Sequence, residues 1–375
     1  MSGGGARAAY QVGVLRALSR RWPDFRTPII SGVSAGAINA VALAARSGTF
    51  SEAVGMLSRL WRDLRTEQVF RTDAGSLGRI AGTWARRLVS GGRSGSRTNG
   101  LLDTSPLRKI ISSTIGGIDG PTAIDRNIYR GGLDALGITA TDYGTGRSVT
   151  WVQGRGVRAW DLPKRLSIRA GIGVDHVMAS SALPLIFPSI NVGGAWYGDG
   201  GVRQISPLSP LVHLGADRII AVNTRFPKPM EVAGISAIKD SPPPAQIVGV
   251  LMNAIFLDTM DQDADNLRRL SKLLERLPEE ERDGLRPVDS LVIRPSVDLG
   301  RLAADFEVDL PRTFRFLMRG LGTLETESPD WLSMLLFEPG YLRAVMDIGE
   351  ADAEARLDEI AAFIDRPAPD RRPLA

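Results

Sequence analysis

The sequence predicts an α/β protein in which helices cover a mostly parallel central sheet. Short apolar runs alternate with helical stretches along most of the 375 residues, a pattern typical of strands buried on both faces. With 43% hydrophobic residues, the chain can bury one large core or two. Its composition is that of a globular protein rather than a disordered one.

The first 90 residues predict a helix, a strand and further helices in that order. Apolar residues at helical spacing predict a helix over 8–19, and a short apolar run predicts a buried strand over 28–33. The alanine-rich stretch 35–45 predicts the helix that follows this strand. Residues 51–90 have the pattern of amphipathic helices.

From about residue 132 the pattern changes to short strands separated by glycines, turns and helical stretches. After three prolines at 242–244, the sequence predicts a long helix over 245–276, a strand over 288–293 and mainly helix up to 364. The other strands of this part are predicted over 137–140, 148–152, 190–192 and 219–222.

Composition limits the chemistry and the partners. The chain has no cysteine, which excludes disulfides, a thiol nucleophile and thiolate metal sites. The formal net charge is only +4 and the basic residues are scattered, so no nucleic acid partner is expected. No apolar run approaches the roughly 20 residues of a membrane-spanning helix, and no signal peptide is visible. We therefore expect a cytoplasmic protein and leave peripheral membrane contact and oligomeric state open.

The stretch Gly32-Val33-Ser34-Ala35-Gly36 joins the predicted strand to the predicted helix after it. A serine at such a turn is either an ordinary turn residue or a nucleophile whose hydroxyl is held out by strained backbone. Gly32 and Gly36 favour the nucleophile because they remove side chains that would clash around the turn. A nucleophilic serine needs another residue to accept its proton.

The stretch Ser2–Ala8, SGGGARA, places three glycines before the first predicted helix. Gly3, Gly4 and Gly5 leave backbone N–H groups uncovered where a helix start lacks partners, so the loop could hold a phosphate or an oxyanion. A dinucleotide site is the alternative. It needs a preceding strand, which is absent, and an acidic residue whose only match, Asp24, lies in a loop. No lysine follows the glycines, which excludes a Walker-type loop.

The turn Asp199-Gly200-Gly201 supplies a carboxylate directly after a strand-like segment, although such a sequence alone is also a common β-turn. The other candidate proton acceptors are His176 and His213, which lie in helical, largely apolar surroundings where packing or capping is expected. A serine–aspartate dyad remains. Because a carboxylate is a weak base toward a hydroxyl, such a dyad depends on strong oxyanion donors.

The glycine loop, the serine turn and the aspartate turn, in this order, resemble the motifs of the patatin-like phospholipases. These are serine lipid acyl hydrolases with a Ser-Asp dyad in a three-layer α/β/α fold. Residues 179–188 are similar to the segment before that family's catalytic aspartate, and residues 139–142 and 222–225 are similar to family strands. The resemblance predicts a patatin-like catalytic domain over 1–225, a mainly helical extension packed on it over 226–365, and a flexible tail over 366–375.

The resemblance also implies the roles of the site residues. Ser34 would attack an ester carbonyl, Asp199 would accept the serine proton, and the Gly3–Gly5 amides would stabilise the oxyanion, with no metal or cofactor. Arg7 would fix the loop, meet a phosphate or form a structural ion pair. The glycines that support the motifs are Gly32, Gly36, Gly200 and Gly201.

One departure concerns the N-terminus, because the family usually has an apolar strand directly before the glycine loop and this chain has none. We expect either a natural start further upstream or a sheet that lacks this strand. The expected substrate is a lipid at a membrane surface. A soluble carboxylesterase or thioesterase, and a non-catalytic scaffold that binds lipid, are the alternatives.

Overall fold

The computed structural model describes residues 1–90, 100–115, 120–227, 243–256, 259–320, 322–323 and 330–366. A seven-stranded sheet, flanked by helices, forms its centre, and a separate two-stranded sheet follows later in the chain. The α/β class with a helix-flanked sheet is confirmed, as are helices in the C-terminal part. None of the helices in these ranges has the length and apolarity of a transmembrane span. The strands are β1 (Ile29–Val33), β2 (Ala135–Asp142), β3 (Ser148–Gly154), β4 (Asp161–Leu162), β5 (Arg165–Arg169), β6 (Ile190–Val192), β7 (Ala195–Asp199), β8 (Arg218–Val222) and β9 (Asp289–Ile293).

The helices follow the predicted order closely in the first 90 residues and again after residue 243. The stretch predicted as one helix over 245–276 is helical over Pro244–Phe256 and Thr259–Leu274, and residues 257–258 lie outside the described ranges. The helices are α1 (Ala9–Arg21), α2 (Ala35–Ala44), α3 (Phe50–Asp63), α4 (Thr66–Val69), α5 (Ala74–Val89), α6 (Ser105–Ile115), α7 (Gly120–Tyr129), α8 (Val174–Ser180), α9 (Ser209–His213), α10 (Pro244–Phe256), α11 (Thr259–Leu274), α12 (Leu299–Asp305), α13 (Arg312–Gly320), α14 (Asp330–Leu335), α15 (Pro339–Ala355) and α16 (Leu357–Asp365).

The central sheet is mixed. Within it, the predicted parallel arrangement holds for β1–β2 and β3–β5. The separate pair β8–β9 is also parallel. The pairs β2–β3, β2–β7, β4–β5 and β6–β7 are antiparallel. The reason lies in the connections, because β2–β3, β4–β5 and β6–β7 are joined by short turns that permit only antiparallel hairpins. The sequence pattern missed β4 and β5, whose charged, partly exposed residues lack the apolar run of a buried strand.

Strand β2 carries two neighbours on one of its edges. Strand β1 pairs in parallel with its first part and ends at Val33, which lies opposite Thr139. Strand β7 pairs in antiparallel orientation with its last part and ends at Asp199, which lies opposite Ala140. The carboxyl ends of β1 and β7 therefore meet at one point on β2.

The first two residues connect the central sheet to the two-stranded sheet. The Met1 amino group donates to the carbonyl oxygen of Ser31 at 2.8 Å, and the Val33 N–H donates to the Met1 carbonyl at 3.3 Å. The Ser2 N–H donates to the carbonyl of Val222 at 3.3 Å. Met1 and Ser2 therefore lie between β1 and β8 and lead straight into the glycine loop.

The C-terminal helices share one hydrophobic core with the N-terminal part. A continuous cluster of buried side chains extends from Ala6 to Phe363. Helix α15 lies so close to α1 that a Cβ atom on Gly13 would come within 1.9 Å of the Met346 carbonyl oxygen. The division of the chain near residue 225 stays a prediction, and the predicted tail lies outside the described ranges from residue 367 onward.

Candidate active site

Ser34 occupies the sharp turn between β1 and α2. Its backbone has φ 55° and ψ −134°, a conformation that a non-glycine residue adopts rarely and at a cost. A Cβ atom on Gly32 would lie 2.5 Å from the Gly36 carbonyl oxygen, and one on Gly36 would lie 2.3 Å from the Ser2 carbonyl oxygen. Both glycines are therefore required for the close packing of this turn.

Two serines at the end of α8 fix the backbone of Ser34. The Ser34 N–H donates to Ser180 Oγ at 3.0 Å, and Ser180 Oγ in turn donates to the Thr139 carbonyl at 2.6 Å. The Ser181 hydroxyl donates to the Ser34 carbonyl at 3.0 Å. In the sequence analysis this segment was noted only for its similarity to a family segment, and neither serine was given a role. Nothing in a serine pair at the end of a helix identifies its distant partner.

Asp199 ends β7 and is completely buried. Its Oδ1 accepts a hydrogen bond from the Gly201 N–H at 2.9 Å, and its carbonyl accepts one from the Thr141 hydroxyl at 2.8 Å. A Cβ atom on Gly200 would lie 2.2 Å from the Thr139 carbonyl oxygen. The two glycines after the aspartate thus have different roles. The Gly201 N–H donates to the carboxyl group, and the lack of a side chain at Gly200 permits the close approach of this turn to β2.

The carboxyl group of Asp199 faces Ser34. Burial raises its pKa from 3.8 to about 7, while hydrogen bonding with the Ser34 side chain and the Gly201 amide lowers it in part. Within the described ranges, Oδ2 is nevertheless buried without a hydrogen-bond partner of standard geometry. The carboxyl group therefore lies beside the serine without a hydrogen bond of standard geometry to it.

The glycine loop lies beside Ser34 and opens a 3-10 helix, Gly5–Ala8, that continues into α1. A Cβ atom on Gly3 would lie 3.0 Å from Ser34 Cβ, so the loop backbone is in direct contact with the serine. Gly4 and Gly5 have φ values of +136° and +56°, which favour glycine. In the part of the chain that the structure describes, no acceptor receives the N–H groups of Gly3, Gly4 or Gly5.

Arg7 is buried and belongs to a polar network with the C-terminal helices. Its Nε donates to Ser333 Oγ at 2.6 Å, and its guanidinium forms an ion pair with Asp330. The Asn253 side chain donates to the same carboxylate at 2.5 Å. Of the roles open to Arg7, the observed contacts correspond to a structural ion pair that ties the glycine loop to α10 and α14.

An apolar cavity starts at the serine. The cavity has a volume of about 50 Å³, and Gly4, Gly5 and Ser34 form part of its wall. Buried and half-buried side chains from α2, α3, α6 and the segment after α8 form much of the remainder. They include Ile38, Leu60, Trp61, Leu107, Leu183 and Phe187.

Both histidines have structural surroundings. His176 Nδ1 accepts a hydrogen bond from the Gly173 N–H at 3.1 Å, and its ring meets that of Trp151 edge-on at 4.8 Å. His213 stacks on Trp160 at 4.8 Å. Neither imidazole is among the hydrogen-bond partners found for the serine or the aspartate in the described ranges. Within the same ranges, no group of three or more histidine, aspartate or glutamate side chains could hold a metal ion.

The sequence matches the family model described as Patatin-like phospholipase over residues 1–212. No curated protein sequence matches the chain significantly. Among solved structures, VipD from Legionella pneumophila is similar at 14% identity with a TM-score of 0.36. The alignment covers 96% of this chain and 66% of the VipD chain, so the present chain spans less than two thirds of that structure.

Proposed function

Because the chain belongs to the patatin-like phospholipase family, we propose that it is a lipid acyl hydrolase that cleaves acyl esters of membrane lipids through Ser34 and Asp199. Family membership supports lipid acyl hydrolysis in general. The observation that supports these two residues is that Ser34, directly after β1, and the buried Asp199, at the end of β7, come together on β2 beside an apolar cavity that Ser34 lines. The uncovered amides of the glycine loop adjoin the same serine.

In the first half of the reaction, the ionised Asp199 accepts the proton of Ser34 Oγ as this oxygen attacks the ester carbonyl carbon. The carbonyl oxygen becomes negatively charged and is stabilised by N–H groups of the Gly3–Gly5 loop, which need no reorganisation because no acceptor among the described residues occupies them. When the tetrahedral intermediate collapses, the carbon–oxygen bond to the leaving alcohol breaks and Asp199 returns the proton to that alcohol.

In the second half, a water molecule attacks the acyl-serine ester. Asp199 accepts a proton from this water and passes it to Ser34 Oγ, so that the fatty acid leaves and the serine is regenerated. Each half transfers one proton to and from the same carboxyl group. The raised pKa suits this role because a base works best when its pKa lies near the working pH.

The lining of the cavity supports the proposed substrate class. Its wall beside the serine is formed mainly by apolar side chains, which fit a hydrocarbon chain rather than a polar acyl group. The length of the acyl chain that the enzyme hydrolyses distinguishes a lipid hydrolase from a soluble esterase that uses the same catalytic residues. We expect turnover of phospholipid vesicles in addition to short soluble esters, with release of fatty acid as the measurement.

A fluorophosphonate probe tests the nucleophile. We expect covalent labelling of the wild-type chain at Ser34 and its loss in the Ser34→Ala variant. Ser113→Ala serves as a control, because Ser113 is an exposed serine whose hydroxyl donates to the Ile110 carbonyl of its own helix. Equal labelling of wild type and Ser34→Ala would remove Ser34 from the mechanism. Absence of labelling in both would favour the lipid-binding scaffold over either kind of hydrolase.

The rate is expected to depend on pH through Asp199. Only the ionised carboxylate can accept the serine proton, and burial raises its pKa to about 7. For an uncharged short ester, kcat/KM should therefore rise with pH up to about 7 and level off above it. Burial lowers the pKa of both His176 and His213 below 6.5, so a histidine base would give a midpoint below 6.5. A pH profile with such a low midpoint would contradict the dyad.

A further inference from the structure

A leucine near the candidate active site has strained backbone and an exposed side chain. In the part of the chain that the structure describes, the non-glycine residues with positive φ are Ser34, Leu185 and Asp283. Ser34 forms the turn at the nucleophile, and aspartate tolerates this conformation comparatively well. Leu185 has φ +67°, which its Cβ atom disfavours, and its side chain is 74% exposed. Burial of the leucine itself therefore does not offset the strain.

Tertiary contacts hold Leu185 in this conformation. The N–H groups of Leu101 and Leu102 donate to the carbonyls of Leu185 and Ile186 at 3.0 and 2.8 Å. The segments around Gly100 and Leu185 are in close contact, because a Cβ atom on Gly100 would lie 2.5 Å from the backbone nitrogen of Pro188. The backbone of this segment is thus fixed from outside, and the leucine side chain is directed away from the core.

This strained segment belongs to the wall of the cavity. Leu183 and Phe187, two residues to either side of Leu185, line the cavity that contains the nucleophile. Leu101 beside it is also exposed, at 41%. Leu101 and Leu185 together form an apolar projection, here called the leucine tip, next to the acyl cavity.

The helix that contributes to this wall also carries two exposed basic side chains. Helix α6 contributes Leu107 to the cavity, and the next two residues, Arg108 and Lys109, are exposed to solvent. Arg108 forms an ion pair with Asp175, a half-exposed contact. Exposed apolar side chains beside a cavity that opens toward a lipid substrate are typical of surfaces that enter the headgroup region of a bilayer, and cationic residues on the same protein favour anionic lipids.

We propose that the leucine tip inserts into the surface of a phospholipid bilayer and so places the acyl cavity against its substrate. The inference rests on the proposed function, since it takes the substrate to be a membrane lipid. The physical gain is the removal of two exposed leucine side chains from water. The contact requires an apolar side chain at position 185, although a glycine there would adopt the positive φ without strain.

The strain gives a direct test. Leu185→Gly relieves the backbone, and Leu185→Asn keeps a side chain that tolerates positive φ, so neither variant should melt at a lower temperature than its parent. Both are made in the Ser34→Ala background so that vesicles are not hydrolysed. We expect each to partition about tenfold more weakly into vesicles of phosphatidylcholine and phosphatidylglycerol. Leu273→Asn, on α11 with a 59% exposed side chain, should partition like its parent.

Unchanged partitioning of both Leu185 variants would overturn the inference, as would failure of the parent to bind vesicles. If Leu185→Gly instead converts a self-associated chain to a monomer in light scattering while vesicle binding is unaffected, the tip is an interface between copies and the inference is wrong. Because the readout is binding by an inactive variant, a Leu185-dependent loss supports membrane docking even if Ser34 fails to react with a fluorophosphonate.

Discussion

Asp199→Asn is expected to lower kcat by about 10³-fold or more and, at pH 8, to make the folded protein more stable. The rate falls because an amide cannot accept the proton of Ser34. The amide oxygen can still accept the hydrogen bond from the Gly201 N–H, so the turn and the glycine loop should keep their geometry. Fluorophosphonate labelling should slow in parallel, because it requires the same proton transfer.

The gain in stability follows from the burial of the carboxylate. A carboxyl whose pKa is 3.8 in the unfolded chain and about 7 in the folded chain binds more protons when folded, so stability decreases as the pH rises from about 4 to about 7. Above pH 7 the cost is of the order of 4 kcal/mol. A neutral asparagine does not incur this cost, and the difference between variant and wild type should therefore shrink as the pH falls toward 4.

Thermal unfolding of both proteins at pH 8 and pH 5 measures this effect. Asp347→Asn, which changes a surface aspartate with 70% side-chain exposure, serves as the matched control and should leave both kcat and the pH dependence unaltered. Near-wild-type turnover of Asp199→Asn would return the role of base to a histidine. A variant less stable than wild type at pH 8 would show that the ionised carboxylate is not a net cost to the fold.

Gly5→Ala is expected to abolish activity and to destabilise the fold by several kcal/mol. The position has two constraints. Its φ of +56° disfavours any side chain, and a Cβ atom would lie 2.1 Å from the Met334 carbonyl oxygen on α14. Because the obstacle is backbone, either the loop or the helix must move. The amides that stabilise the oxyanion in the proposed mechanism would be displaced from Ser34.

Gly146→Ala is the control that separates the conformational penalty of a positive φ from the steric clash with neighbouring backbone. Gly146 has φ +67°, but a Cβ atom there would have no neighbour within 4 Å, so only the conformational penalty of about 1–2 kcal/mol applies. Comparing the two variants by urea unfolding and by turnover of a soluble ester isolates the effect of the clash. Equal losses of stability with unchanged kcat in both would show that the contact between the glycine loop and α14 has no part in forming the site.

Much of the site could be predicted from sequence because its backbone requirements are local. A serine between glycines, after an apolar run and before an alanine-rich one, predicts a strained strand-to-helix turn, and Ser34 has this conformation. The roles of Ser34 and Asp199 in catalysis stay predictions. Ser180 and Ser181, which fix the backbone of Ser34, were not predicted, because their partners lie far away in the chain and leave no local pattern.

The sheet shows the same limit. Apolar runs identified β1, β2, β3, β6, β8 and β9 to within a few residues, whereas β5 was missed because an exposed strand needs no continuous apolar run. The pattern gave no sign that β1 and β7 would share one edge of β2. Leu185 is a comparable case, since an ordinary leucine in a proline-containing loop carries no signal of its positive φ.

The sequence by itself determined the residue types, the glycine positions and the order of strands and helices, because backbone clash and helical or strand periodicity depend on neighbouring residues. Only the tertiary structure decided that the ends of β1 and β7 meet on β2, and that the carboxyl group of Asp199 lies beside Ser34 with its pKa raised to about 7. Register between distant strands and exclusion of water are properties of the whole packed core, and no short stretch of sequence contains them.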